Sequence, residues 1–262
     1  MKILVKLGGT LLDSANSADA LAEQIAATHR QGVELVVVHG GGKQMTRFLA
    51  ERGVESRFVQ GLRVTGPEVL DAVLKVFAGT VNHELVARLN RAGALAVGLT
   101  GIDALLVEAE LLDPALGAVG RVAKANAGVL QTLVAGGYLP VVACVAGDRQ
   151  GQIYNVNADQ MAVACALAFG AQQLIFLTDV DGVMDGAKQL RRQLTVEESR
   201  QLIAEGSATG GMQAKLNAAT AALMGGVEQV RIAPGAAPAV LERLLAGEEL
   251  GTRMIRQKGQ PA

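Results

Sequence analysis

Two lysines and an aspartate, far apart along the chain, are the residues whose types and settings could do chemistry together. Lys6 stands in the apolar run Ile3-Leu4-Val5-Lys6-Leu7, immediately before Gly8-Gly9-Thr10. Asp159 belongs to Asn155-Val156-Asn157-Ala158-Asp159-Gln160, and Lys215 closes Thr209-Gly210-Gly211-Met212-Gln213-Ala214-Lys215. A charge in an apolar strand needs a partner, and the glycines after Lys6 leave backbone N–H groups uncovered. A phosphate answers both needs; a lysine snorkelling from a strand end beside a plain loop is the alternative. Lys215 reads as a first-turn helix residue, where the helix dipole disfavours a cation, and an anionic ligand would remove that conflict.

A second glycine cluster, His39-Gly40-Gly41-Gly42-Lys43, follows the apolar run Glu34 to Val38. It is not a Walker A loop, because residue 37 is Val and Lys43 is followed by Gln44, and it does not fit GxGxxG. Consecutive glycines cost roughly 1 kcal/mol each relative to alanine in regular structure, which favours a close backbone approach to a ligand. In Gly61-Leu62-Arg63-Val64-Thr65 the Arg63 fork could hold a carboxylate bidentately, or simply lie on the surface. Asn157 suits a helix cap and Asp159 the positive end of a helix dipole, but that account leaves Asn155 unexplained. Thr178-Asp179-Val180-Asp181-Gly182 ends another apolar run and would line a nucleotide cleft, or its aspartates serve only as turn formers.

These residues must be positioned by alternating elements. Short runs rich in Val, Ile and Leu (3–7, 34–38, 95–99, 139–144, 173–177 and 229–232) alternate with helical patterns at 17–30, 43–52, 67–90, 126–136, 158–169, 196–204, 212–224 and 238–245. Such alternation predicts an α/β fold: an open, mainly parallel sheet sandwiched by helices on both faces, a three-layer αβα arrangement. Thr195 with Glu198 forms a capping box, Asn157 with Gln160 resembles one, and Gly170 can close a helix. Two stretches, 56–65 and 105–124, read instead as short strands joined by turns, of the kind that build substrate pockets.

Composition limits the partners. The 24 basic and 25 acidic residues give a net charge of -1 without long runs of either sign, which argues against nucleic acid and lipid surfaces. No apolar stretch approaches a membrane span and the amino terminus lacks a secretory signal, so a cytoplasmic location is expected. Cys144 and Cys165 have no CxxC spacing and read as buried thiols; His29, His39 and His83 lack metal-ligand spacing, and no GxSxG elbow is present.

Lys6-Leu7-Gly8-Gly9, His39-Gly40-Gly41-Gly42, Gly61-Leu62-Arg63-Val64-Thr65, Asn155-Val156-Asn157-Ala158-Asp159 and Gly211-Met212-Gln213-Ala214-Lys215 occur in the order seen in acetylglutamate kinases. The chain resembles that family, within the wider amino acid kinase family, along essentially its whole length. The resemblance implies ATP-dependent phosphorylation of the γ-carboxylate of N-acetyl-L-glutamate. Lys6 and Lys215 would stabilise the transferring phosphoryl group, with Asp159 holding them; Gly8, Gly9, Gly41 and Gly42 would give N–H donors. It also implies that Arg63 grips the α-carboxylate, Asn155 lies near the acetamido end, and Gly41 and Gly42 also touch the acyl substrate. Thr178, Asp179, Val180, Asp181, Gly182, Gly210, Met212 and Lys215 would bind ATP. Mg2+ would be held chiefly by the phosphates rather than by a protein metal site. A single domain spanning 1–262 is expected, with a lobe of about 1–146 for the acyl substrate and one of about 147–262 for ATP. A homodimer is expected, and arginine insensitivity too, because the first strand begins so near Met1. A kinase for carrier-linked aminoadipate is the closest alternative. A dehydrogenase, which lacks its GxGxxG here, and a sensor that would be expected to lose Lys6, Asp159 or Lys215 are the others.

Overall fold

The computed structural model describes residues 1–257. Its strands, in chain order, are β1 (Lys2–Leu7), β2 (Glu34–His39), β3 (Phe58–Val59), β4 (Leu62–Arg63), β5 (Ala96–Thr100), β6 (Val107–Leu111), β7 (Val119–Ala125), β8 (Leu139–Ala143), β9 (Val145–Gly147), β10 (Ile153–Val156), β11 (Gln173–Thr178), β12 (Gln193–Thr195), β13 (Gln229–Pro234) and β14 (Thr252–Ile255). Eight of them form one sheet in the order β12-β14-β13-β11-β1-β2-β8-β5. Every neighbouring pair is parallel except β13 with β14. β1 lies at the centre, between β11 from the second half of the chain and β2 from the first.

The helices are α1 (Ala15–Arg30), α2 (Gly42–Ala50), α3 (Pro67–Val73), α4 (Asn82–Arg91), α5 (Gly128–Ala135), α6 (Ala158–Phe169), α7 (Val196–Ala204), α8 (Gly210–Gly225) and α9 (Val240–Leu245). The helical pattern expected over 67–90 is a continuous path from α3 to α4 through a π-helical segment, Leu74–Val81. The caps read from sequence are present. Thr195 and Glu198 complete a reciprocal box, Asn157 accepts from the N–H groups of Asp159 and Gln160 at 2.9 and 3.2 Å, and Gly170 ends α6 at φ 71°. The 56–65 insertion is the β3–β4 hairpin, and the 105–124 insertion contributes β6 and β7. Those two strands close with β9 and β10 into a four-stranded barrel, a closure that periodicity alone does not show.

Alternation along β1 decides where the chemistry sits. Ile3, Val5 and Leu7 join a core with α1, α4 and α9, whereas Leu4 joins the opposite core with α6 and α8. Side chains two apart in a strand share a face, so Lys6 lies on the α6 and α8 side. Burying each Val, Leu or Ile stabilises the fold by about 1.5–3 kcal/mol relative to leaving it exposed. The two apolar faces therefore hold the strand register, and with it the position of Lys6, strictly.

Candidate active site

Lys6 and Lys215 converge on one carboxylate. The Lys6 Nζ is 2.6 Å from Asp159 Oδ1, and the Lys215 Nζ is 3.7 Å from Asp159 Oδ2. The first contact is a close, buried ion pair. The side chains of Lys6, Asp159 and Lys215 are only 7, 6 and 15% exposed, which makes this the buried charge cluster that needs a functional or structural reason. Three elements supply it: β1 carries Lys6 at its carboxyl end, Asp159 stands in the first turn of α6, and Lys215 comes from α8. α8 begins at Gly210 rather than at the expected 212, so Lys215 sits one turn inside the helix and not in its first turn. Two extra residues join the helix because Thr209 is extended and accepts from the N–H groups of Met212 and Gln213.

The electrostatics follow from this packing. Burial opposes ionisation of Asp159, yet the two ammonium groups overcome it and hold the carboxyl below its ordinary 3.8. Burial lowers Lys215 from its ordinary 10.5, against the pull of Asp159 and with the push of Lys6. Two ammonium groups facing one carboxylate leave an excess of positive charge, a setting for an anion at the carboxyl ends of the sheet.

Two helix starts face the same requirement. At α2, no acceptor among the described residues is bonded to the N–H groups of Gly41, Gly42, Lys43 or Gln44, and no side chain caps the helix. At α8, the N–H groups of Gly210 and Gly211 are likewise without a bonded acceptor among the described residues. Gly41 has no room for a side chain: a Cβ there would lie 2.9 Å from the Phe77 ring and 3.2 Å from Val81. Gly8 departs from the expected donor set, because its N–H is donated to the Leu177 carbonyl at 2.9 Å across the β1–β11 junction. Gly9 opens the short 3-10 turn Gly9–Leu12 that follows.

The β3–β4 hairpin delivers Arg63, which is buried and has a guanidinium drawn below its ordinary range by burial. It donates to Ser56 Oγ, to the Gly42 carbonyl at 3.1 Å and to Thr46 Oγ1 at 2.9 Å, and it packs over the Phe58 ring. Arg63 is thus tied to the start of α2. Asn155 on β10 donates to Thr65 Oγ1 at 3.0 Å, and Thr65 in turn donates to the Arg63 carbonyl at 2.8 Å. Sequence reading passed over Thr65, although a threonine beside the arginine was the available signal.

Of the segment at the end of β11, Asp179 joins the cluster electrostatically through Lys215. Burial opposes its ionisation, but hydrogen bonds from Thr10 and Thr178 and the Lys215 charge hold its carboxyl below 3.8. Val180 and Asp181 are exposed, and Gly182 packs against Thr252. Met212 is half-buried beside the α8 start, and Gly210 takes φ 53°. Cys144 and Cys165 are buried, and burial pushes both thiols up to about 12. Among the described residues no group of three or more His, Cys, Asp or Glu could hold a metal ion, and no helix is long and apolar enough to cross a membrane.

Comparison with known proteins bears on the family and the fold. A family model described as the amino acid kinase family matches residues 1–234. A protein of Solibacter usitatus (strain Ellin6076) named acetylglutamate kinase is 73% identical over 255 residues, covering 97% of this chain and 99% of its own. One of the same name from Geobacillus kaustophilus (strain HTA426) is 43% identical over 235 residues, covering 89% of this chain and 90% of its own. Among solved structures, N-acetylglutamate synthase from Neisseria gonorrhoeae complexed with coenzyme A and N-acetyl-glutamate superposes with a TM-score of 0.87 at 26% identity, covering 98% of this chain and 59% of that one.

Proposed function

The chain belongs to the amino acid kinase family, and we propose that it uses ATP to phosphorylate the γ-carboxylate of N-acetyl-L-glutamate, forming N-acetyl-L-glutamyl 5-phosphate in arginine biosynthesis. The observation that carries this reading is the buried Lys6–Asp159–Lys215 cluster beside two uncapped helix starts. The names of the relatives supply the acceptor.

A carboxylate attacking a phosphoryl group needs no general base. It needs repulsion between two anions neutralised and the reacting atoms held in line. Lys6 and Lys215 would offset charge on the transferring oxygens, and Asp159 would keep the two ammonium groups at a fixed spacing. The N–H groups of Gly41 and Gly42, with Gly9, would complete the donor set. Arg63 would take the α-carboxylate and Asn155 the acetamido end. Thr178 to Gly182, Gly210 and Met212 would face the nucleotide. Magnesium would arrive with ATP as the MgATP substrate, held chiefly by the phosphates. In this reading, residues 1 to about 146 serve the acyl substrate, the rest serves ATP, and the protein works as a cytoplasmic homodimer.

A coupled assay of ADP release tests the proposal. Release that depends on N-acetyl-L-glutamate, and is far slower with an acylated aminoadipate, is the expected result. ATP turnover indifferent to either acceptor would sink it.

A further inference from the structure

Behind the glycine loop lies a buried polar relay that the reaction above does not use. His39 and Asn82 are 0 and 2% exposed, among the few polar side chains inside the apolar sheet and helix layers. The Asn82 Nδ2 donates to the Val141 carbonyl at 3.0 Å and faces His39 Nε2 at 2.9 Å. Because the Val141 oxygen can only accept, the Asn82 amide nitrogen must point this way. His39 Nε2 is then the acceptor, so the proton sits on Nδ1, which donates to the Gly40 carbonyl at 2.8 Å. Burial, despite that bond and aided by the nearby Lys6 charge, pushes the imidazole down to about 4, so the ring stays neutral at ordinary pH.

The Gly40 carbonyl therefore faces the buried ring. In a trans peptide the carbonyl and the following N–H point in opposite directions, so the Gly41 N–H is turned away from His39. It is one of the helix-start donors that have no acceptor among the described residues. The other side of the loop is fixed as well, since Gly41 abuts Phe77 and Val81 of the π-helical segment. That segment ends at Val81, directly before Asn82, and π-helical turns concentrate at functional sites. Asn82 in turn has its place because residue 98 on β5 is glycine: a Cβ there would stand 2.1 Å from Asn82 Oδ1.

We propose that His39 and Asn82 are positioning residues, which aim the Gly41 N–H at the terminal phosphoryl group of MgATP through the Gly40 carbonyl. The inference rests on the kinase reading and deepens it. Gly98 acts on the same relay, at one further remove.

The test compares His39→Phe, His39→Asn, Asn82→Ala and Gly98→Ala, each first checked for cooperative unfolding. His39→Phe keeps the bulk and loses the donor; kcat should fall about 100-fold, the size seen when one oriented donor is removed, with KM for the acyl substrate little changed. Asparagine can place its amide nitrogen where Nδ1 stands, so His39→Asn should recover at least about 10 of those 100-fold. Calorimetric affinity for MgATP should weaken about 5-fold in His39→Phe, the worth of one hydrogen bond. Gly98→Ala should lower kcat, and combining it with Asn82→Ala should do no further harm, because both act on one amide. A merely structural role would lower thermal stability and leave these readouts alone. Folded His39→Phe with wild-type kcat and MgATP affinity, or His39→Asn no better than Phe, overturns the assignment. Should His39→Phe not fold, additive losses in Asn82→Ala and Gly98→Ala overturn it instead. Wild-type protein that releases no ADP with N-acetyl-L-glutamate would fault the acceptor alone, since MgATP affinity still tests the relay.

Discussion

Replacing Asp159 by asparagine keeps the volume of the side chain and removes its charge, leaving two largely buried ammonium groups facing each other. Lys6 then loses a partner 2.6 Å away and Lys215 one 3.7 Å away. Removing one partner of a buried ionic cluster costs about 3–5 kcal/mol, because the surviving charge is uncompensated. In a chain somewhat above 250 residues each kcal/mol shifts the midpoint by about 2–4 °C, so Asp159→Asn should melt about 6–20 °C lower at pH 7 by calorimetry. The pH dependence is fixed by the direction of the shift. Asp159 is held below 3.8 in the folded protein, so its contribution is full above that pH and is lost as pH falls through the folded value. The gap in midpoint between wild type and variant should therefore stay open at pH 5–7 and close in acid below 3.8. A variant melting within about 2 °C of wild type at pH 7 would refute the reasoning, because the carboxylate would then not be holding the lysines.

Other outcomes follow from the same geometry. Lys6→Ala and Lys215→Ala should each lower kcat by about 100–1,000-fold with far smaller changes in KM, read from steady-state kinetics. Since burial lowers Lys215 below 10.5 in the free protein, kcat/KM for MgATP should fall on the alkaline side before pH 10.5, and the limb should move upward in Lys215→Arg. Thr65→Val removes the hydroxyl between Asn155 and the Arg63 carbonyl, and KM for N-acetyl-L-glutamate should rise about 5-fold while KM for MgATP holds. Cys144 and Cys165, with thiols near 12, should resist iodoacetamide at pH 8 in the folded protein and react together in urea.

Much of the arrangement was legible in the residues. The apolar runs around Lys6, before His39 and before Thr178 could only be buried strands, and their alternation with Ala-rich helices required a parallel sheet. Asn157, Thr195 and Gly170 marked helix ends through bonds to their own neighbours, which is why those boundaries hold in the structure. The lysines, the aspartate and the glycine clusters pointed, through residue type, to the anion site proposed above.

Local pattern does not report which residues meet across the sheet. That Lys6 shares a face with α6 and α8 depends on the register of β1 between β2 and β11, fixed by apolar contacts over long sequence distances. The relay from Asn82 through His39 to Gly40 was invisible because a histidine after an apolar strand and an asparagine inside a helical pattern look unremarkable until β8 and β5 are placed beside them. The engagement of Gly8 with Leu177 and the length of α8 were settled in the same way. Sequence determined which groups are charged, polar or without side chains; packing determined which of them face one another, because hydrogen bonds and ion pairs act over a few ångströms that only the folded chain sets.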